Sequence, residues 1–413
     1  MTAGSFDGLA RPELARLGRE YLLAGHLIDR AGMPHVLAGH GLDAMRDVAI
    51  EEWMGASPVY TRRTQRALGF AGDDVATIFK GMQLDIGAPH QFMDFRYRVQ
   101  DARHGEFWLA SCGALMDVEP MGEDFVVAMC HHIEDPTFDA TAAATNPRAR
   151  MRPLHRPPRR PAGRHPHCHW VVEIDPSADP VPEPEAARRV SQSLAAASVI
   201  PPGGDGGTDE AGLGDYAGDF DPDFSLDDLS RPALEAAVQE VCLQGHLLVH
   251  SFMLAVESRF GEAEARRIAV KQLVGSAGLT ASRLAIALRL GRGLEAVERV
   301  LRLHPLFLPR AYVDAAFEHR GRQLVVSIGG CDALSERRGW SWPALLAAGH
   351  REGLEALVRG VDARARCQPV SPPSGRLVAW QVDVDPSAPE LPEPAEVTLA
   401  RFSTGADFVF TES

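Results

Sequence analysis

Leu14, Gly18, Tyr21, Gly25 and Ile28 follow one another at spacings of three and four, which winds them onto one face of a helix. The same spacing returns at Leu234, Val238, Val241, Gly245 and Leu248. A second helical stretch is predicted over 42–53 and again over 262–274. The period then changes. Phe95, Tyr97 and Val99 alternate with Arg96 and Arg98, as in a strand with one buried face. Residues 105–115 and 324–328 read as the strand pairing with it, 148–152 and 169–174 as closing strands. Residues 123–132 read as a helix that stops before Asp135-Pro136, since a residue ahead of proline is pushed out of the helical region.

Laid over each other, the two halves match in order. Arg11-Pro12 corresponds to Arg231-Pro232 and Gly25-His26-Leu27 to Gly245-His246-Leu247, both at an offset of 220. Cys112 with Ala114-Leu115 matches Cys331 with Ala333-Leu334 at 219, and Ala149-Arg150 matches Ala365-Arg366 at 216. Trp170 with Asp175-Pro176-Ser177-Ala178 matches Trp380 with Asp385-Pro386-Ser387-Ala388 at 210. The offset shrinks in one direction only, as deletions from loops of a second copy would produce. The predicted fold class is α+β: a tandem duplication of a unit with N-terminal helices followed by a mainly antiparallel sheet, the two copies packed as a pseudo-dimer. Residues 1–180 are the first copy, 181–230 a linker, and 231–413 the second copy. Gly25 and Gly245 lie on the apolar stripes, which makes these helices the expected seam.

Composition changes the picture at the linker. The net charge of -14 is concentrated there: Pro201 to Ser230 holds nine acids and no lysine or arginine among many glycines and prolines. That composition predicts a loosely draped segment. Without it, the copies carry about five excess negative charges, which argues against a nucleic-acid surface. No apolar run reaches the roughly 18 residues of a membrane span, and residues 1–9 lack the pattern of a secretory leader. A cytoplasmic protein with no membrane partner is expected. The six cysteines are too scattered for a disulfide scaffold. Only Lys80 and Lys271 are lysines; Lys80 is expected at the surface.

Candidate chemistry gathers between Cys130 and Trp170. Cys130-His131-His132-Ile133-Glu134-Asp135 supplies thiol, imidazole and carboxylate, and His155, His165, His167, Cys168 and His169 follow. Such mixtures suit zinc or non-haem iron. If Trp170, Val172 and Ile174 face the core, Cys168 shares their face, and Met151, Pro153 and His155 share a face on the neighbouring strand. Cys130, His155 and Cys168 are therefore expected to converge as metal ligands. At matched positions of the second copy His155 becomes Ser371 and Cys168 becomes Val378, so the site is expected in the first copy alone. His26 and His246 are expected to satisfy local hydrogen bonds. No phosphate loop, dinucleotide fingerprint or nucleophile elbow is present, so no nucleotide cofactor is expected.

The order Cys130, Asp135, Asn146-Pro147, a basic strand, then Cys168 with an aromatic residue two positions on, resembles the C-terminal signature of the L-2-aminothiazoline-4-carboxylate hydrolase family and, more distantly, the 4-vinyl reductase type of small-molecule-binding domain. The resemblance covers about fifty residues of the first copy. It departs from the pattern at His155-Arg156-Pro157-Pro158-Arg159-Arg160-Pro161, where a threonine-containing basic strand and a Gly-Asp turn belong. It implies a compact α+β unit with a ligand pocket beside the cysteines.

Two functions follow. In one, the first copy hydrolyses a C–N or C–S bond of a carboxylate-bearing small molecule. A metal on Cys130, His155 and Cys168 would activate water, or Cys130 would act as a thiolate beside His131. Asp135 or Glu134 would be the general base, and Arg152 and Arg156 would hold the substrate anion. In the other, the same pocket belongs to a non-catalytic sensor or partner-binding protein.

Overall fold

In a computed structural model, which describes residues 6–201 and 211–411, the chain is a duplicated α+β unit whose copies match element for element. The first unit opens with α1 (Arg11–Ala67), which breaks at Gly41, where φ is 84° and ψ 177°. Then come α2 (Val75–Met82), β1 (Met93–Val99), β2 (His104–Cys112), α3 (Gly113–Val118) and α4 (Glu123–Val127). A π turn over Ala128–Ile133 leads into α5 (Glu134–Thr145), followed by β3 (Ala149–His155), β4 (Cys168–Ile174), α6 (Glu185–Val190) and α7 (Leu194–Ala197). The second unit repeats the path through α8 (Arg231–Phe260), α9 (Glu262–Ala287), α10 (Leu294–Leu303), β5 (Ala315–Arg320), β6 (Gln323–Gly329) and α11 (Asp332–Ser335). It closes with α12 (Trp342–Ala347), α13 (Glu352–Val361), β7 (Ala365–Pro369), β8 (Arg376–Val384) and α14 (Ala395–Ala400).

The sheets have one topology, β1-β2-β4-β3 and β5-β6-β8-β7, antiparallel throughout. Alternation places Phe107 and Trp170 on the buried face of the first, where they stack at 6.1 Å. Gly261, the counterpart of Gly41, has φ 85° and ψ 168° and separates α8 from α9. A Cβ at either glycine would meet nothing within 4 Å, so backbone conformation and not lack of space selects glycine there.

The stretch 123–145 differs from the sequence expectation. The helical path does not stop before Asp135-Pro136 but continues through the π turn into α5. Pro136 is the third residue of α5, close behind the π turn, and its missing N–H does not end the helical path.

The 181–230 segment also differs. Pro182-Glu183-Pro184 ahead of α6 matches Pro392-Glu393-Pro394 ahead of α14, so the repeat runs past residue 180. Residues 211–230 are packed as well. Tyr216 is buried, stacks on Phe224 and donates its backbone N–H to Leu68 O at 2.8 Å. Lys80 is buried, donating to Tyr216 O at 2.9 Å and to Gly218 O. Apolar anchors and a lysine that donates to two backbone carbonyls hold the segment in spite of its acidic composition. The middle of the expected linker, 202–210, lies outside the described residues.

The units pack through α1, α8 and α9 about a pseudo-two-fold axis. Arg63 forms a bidentate pair with Glu240 (3.0 and 2.8 Å), and Arg283 one with Glu20 (2.8 and 3.0 Å). Both partners of the second pair lie 220 positions from their counterparts in the first, the reciprocity of a self-complementary interface. Arg63 also donates to Ala196 O and Arg283 to Ala406 O. The glycine seam is only partly as expected. Gly245 faces Ile28 across the interface, but a Cβ on Gly25 would lie 2.5 Å from Ile86 of its own unit, and Gly18 is the position pressed against Leu226 and Val238.

Candidate functional site

Cys130 lies in the π turn and Cys168 opens β4, and both are buried. Burial pushes each thiol well above its ordinary pKa. These thiols stay protonated at neutral pH. His155 does not join them. Pro153 pairs with Trp170 but His155 pairs with His169, so two steps along β3 match one along β4. This bulge at Leu154 flips His155 onto the face of His169, away from Cys168, and the two imidazoles lie 6.2 Å apart. Strict alternation from Met151 therefore misplaces it. Among the described residues no group of three or more His, Cys, Asp or Glu side chains is arranged to hold a metal ion.

The candidate anion-binding arginines are engaged. Arg152 contacts both oxygens of Asp139 at 2.9 Å, and Arg156 pairs with Asp135. Arg159 holds Glu119 in a bidentate pair and Arg160 reaches Glu123. His131 Nε2 donates to Pro157 O at 2.7 Å, tying the π turn to the proline-rich loop.

Of the sequence candidates, Glu134 alone borders a large internal space. A cavity of about 560 Å³ lies in the first unit between α1, the sheet and the stretch 114–141. Its lining is apolar and includes seven of the protein's eleven methionines, among them Met33, Met82, Met93 and Met129. Leu399 and Phe402, from the end of the second unit, complete the wall.

Few polar groups interrupt it. Arg30 donates to Asp117 Oδ2 at 3.1 Å, and Asp117 also accepts from Ser403 Oγ at 2.6 Å and Thr404 N at 2.7 Å. His26 is buried with Nδ1 unpartnered, and burial and the neighbouring Arg30 lower its pKa to about 3. His26 is thus a neutral ring on the cavity wall that meets the expectation in part, accepting at Nε2 from Arg30 at 3.4 Å, whereas His246 bonds Leu308 O at 2.9 Å and Pro305 O at 3.2 Å. Burial raises Glu134 to about 8, and its Oε2 has no partner. Asp85 is raised to about 6 by burial while accepting from Tyr60 OH at 2.7 Å and Gly87 N at 2.6 Å. Asp29 is raised too, with Oδ2 bonded to Trp53 Nε1 at 2.8 Å, and behind it the fully buried Glu52 is raised further by burial and by Asp29.

The second unit shows how the cavity is opened. There a Cβ on Gly353 would lie 2.4 Å from Leu273 Cγ, and one on Gly360 2.5 Å from Gly278 O, so α13 lies directly on α9. The first unit carries Thr137, Ala144, Trp53 and Pro58 at these four positions; α5 meets α1 at its C-terminal end, through Thr141 Oγ1 with Ser57 Oγ at 3.0 Å and Gln65 Nε2 with Thr145 Oγ1 at 2.7 Å, and the space opens towards Thr137 and Trp53, which border it. One sequence signal could have pointed to it: the second unit has a single methionine, Met253, against the cluster in the first.

Comparison with models of known families, with curated proteins and with solved structures returned no match to this chain. Among the described residues no helix is long and apolar enough to cross a membrane.

Proposed function

We propose that the first unit binds a small, mainly apolar molecule carrying a basic nitrogen, and that the second unit helps enclose it through Leu399 and Phe402. The size and lining of the cavity fit a small-molecule site, and methionines adapt to irregular apolar ligands. The charge of the ligand is argued from one observation. Asp29, Asp85 and Glu134 border the cavity with raised pKa values, while its only arginine, Arg30, is already paired with Asp117. A cation entering such a site restores the ionised carboxylate and releases a proton, whereas an anion is opposed by both burial and the acids.

This reading is supported better than hydrolysis of a carboxylate-bearing substrate. The thiols are held protonated, Arg152 and Arg156 are paired internally, and neither Cys130 nor Cys168 borders the cavity.

Decylamine, decanol and decanoate share one chain and differ in head group. Titration calorimetry at pH 7.5 should rank decylamine first and decanoate last. Repeating the amine titration in buffers of different ionisation enthalpy should show proton release. Glu134→Gln should weaken the amine by roughly tenfold while leaving decanol unchanged. Equal binding of all three probes, or tightest binding of decanoate, would discard the proposal.

A further inference from the structure

At the positions of the second unit that correspond to the mouth of the apolar cavity lies another pocket, of about 410 Å³ and of different chemistry. Leu37 and Ala38 on α1 correspond to Glu257 and Ser258 on α8, and Val118 at the end of α3 to Arg337. Leu399 and Phe402, which the second unit lends to the first, correspond to Arg189 and Gln192, which the first lends to the second. The frame around the two pockets is conserved in kind. Asp117 accepts from Ser403 and Thr404, and Glu336, its counterpart at an offset of 219, accepts from Leu194 N at 3.2 Å and Ala195 N at 2.8 Å. Tyr312 OH donates to Glu336 at 3.0 Å and fixes it further.

Between these fixed frames the lining has changed from apolar to arginine-rich. Arg189, Arg337 and Arg338 come from two elements in different units, so their meeting is a product of the tertiary fold. One carboxylate, Glu257, borders the pocket, and it already accepts from Arg338 and from Trp340 Nε1 at 2.7 Å. Among the described residues Arg189 pairs with Glu51 alone, at 3.5 Å, and Glu51 is shared with Arg259. Arg337 makes no ion pair among the described residues. The pocket therefore holds more guanidinium than its own carboxylate neutralises. Arg338 has φ 62°, a left-handed conformation that side chains of this kind seldom adopt, and this is the backbone that places its guanidinium beside Glu257. Simple decay of an unused apolar pocket predicts collapse, as occurs deeper in this unit at Gly353. It does not predict three arginines on an open pocket.

We propose that the second unit carries its own binding site for a small molecule bearing an oxyanion, a phosphate or a carboxylate, gripped by Arg337 and Arg189, with Arg338 held by Glu257 at its edge and Gln192 and Ser258 beside them. Guanidinium groups bind both oxyanions through paired N–H donors. The duplicated fold would then hold two ligands of different character at equivalent places. This site stands independently of what occupies the first.

The full chain, titrated calorimetrically at constant ionic strength with inorganic pyrophosphate and separately with malonate, tests the proposal. Saturable binding of pyrophosphate alone identifies a phosphate site, and of malonate alone a carboxylate site; either supports it, as does binding of both. The pair Arg189→Gln and Arg337→Gln should weaken binding by roughly tenfold or more. Ser258→Glu, at an exposed position, should do the same without removing an arginine. Arg152→Gln, on the first unit's sheet, should leave it unchanged. Absence of saturable binding by both probes, or equal affinity in the wild type and the Ser258→Glu chain, would overturn the assignment.

Discussion

Glu134 begins α5 directly after the π turn, so the extra residue of that turn decides that its carboxyl reaches the cavity. Burial raises its pKa from the ordinary 4.5 to about 8. The folded state then holds a proton that the unfolded chain has lost between these values. This contribution to stability is complete below pH 4.5 and is lost as pH rises toward 8. A shift of this kind corresponds to a few kcal/mol at most pH values above the window. Glu134→Gln should therefore raise the melting temperature at pH 9 and change it little at pH 5. An equal effect at both values would show that the carboxyl is not held neutral by the fold. His155 illustrates the limit of reading at this scale. Its parity along β3 is legible, but the bulge at Leu154 that cancels the parity arises from pairing with β4.

At the scale of elements, glycine marks two different constraints. Gly41 and Gly261 turn one helical limb into the next with φ of 84° and 85°. An L side chain in this region costs about 1–3 kcal/mol. Gly41→Ala and Gly261→Ala should each lower stability by about that amount, although neither new methyl group would touch anything. Chemical denaturation of both variants measures it, and a neutral result at either position would mean that the turn relaxes. Gly353 and Gly360 act through space instead, letting α13 lie directly on α9 where the first unit carries Thr137 and Ala144. The same element order thus yields an apolar cavity in the first unit and a direct helix contact at the corresponding place in the second.

For the whole molecule, the two buried arginine–glutamate pairs tie the units together. Glu20 and Glu240 are both raised by burial despite their arginines, so desolvation dominates over the attraction from the partner. Removing one member of such a pair leaves a buried charge without a partner, at a cost of about 3–5 kcal/mol, whereas replacing both by apolar groups is often close to neutral. Arg283→Met alone should destabilise strongly, and Glu20→Leu with Arg283→Met should recover most of the loss. Thermal unfolding of the two single variants and the double variant closes the cycle; additive losses would contradict a coupled pair. Because each unit's C-terminal stretch walls the other's pocket, both candidate sites depend on this interface.

The duplication, the sequence of helices followed by a sheet and the buried face of the first sheet were legible in the sequence, because helical and strand periods are local and the offsets of 220 to 210 survive divergence. Glu134 also stood among the candidates, as a carboxylate beside a cysteine. Its raised pKa was not legible, since burial depends on segments far away in the chain. Tertiary structure alone decided that Cys130, His155 and Cys168 form no common site, that Lys80 is buried against carbonyls of residues 216 and 218, and that the arginines after Asn146 are largely taken by nearby acids. It also decided where the cavities lie. A cavity is what remains when packed helices cannot approach, and that spacing is set by pairs such as Thr137 with Trp53, or Gly353 with Leu273, which are remote in sequence and adjacent only once the chain has folded.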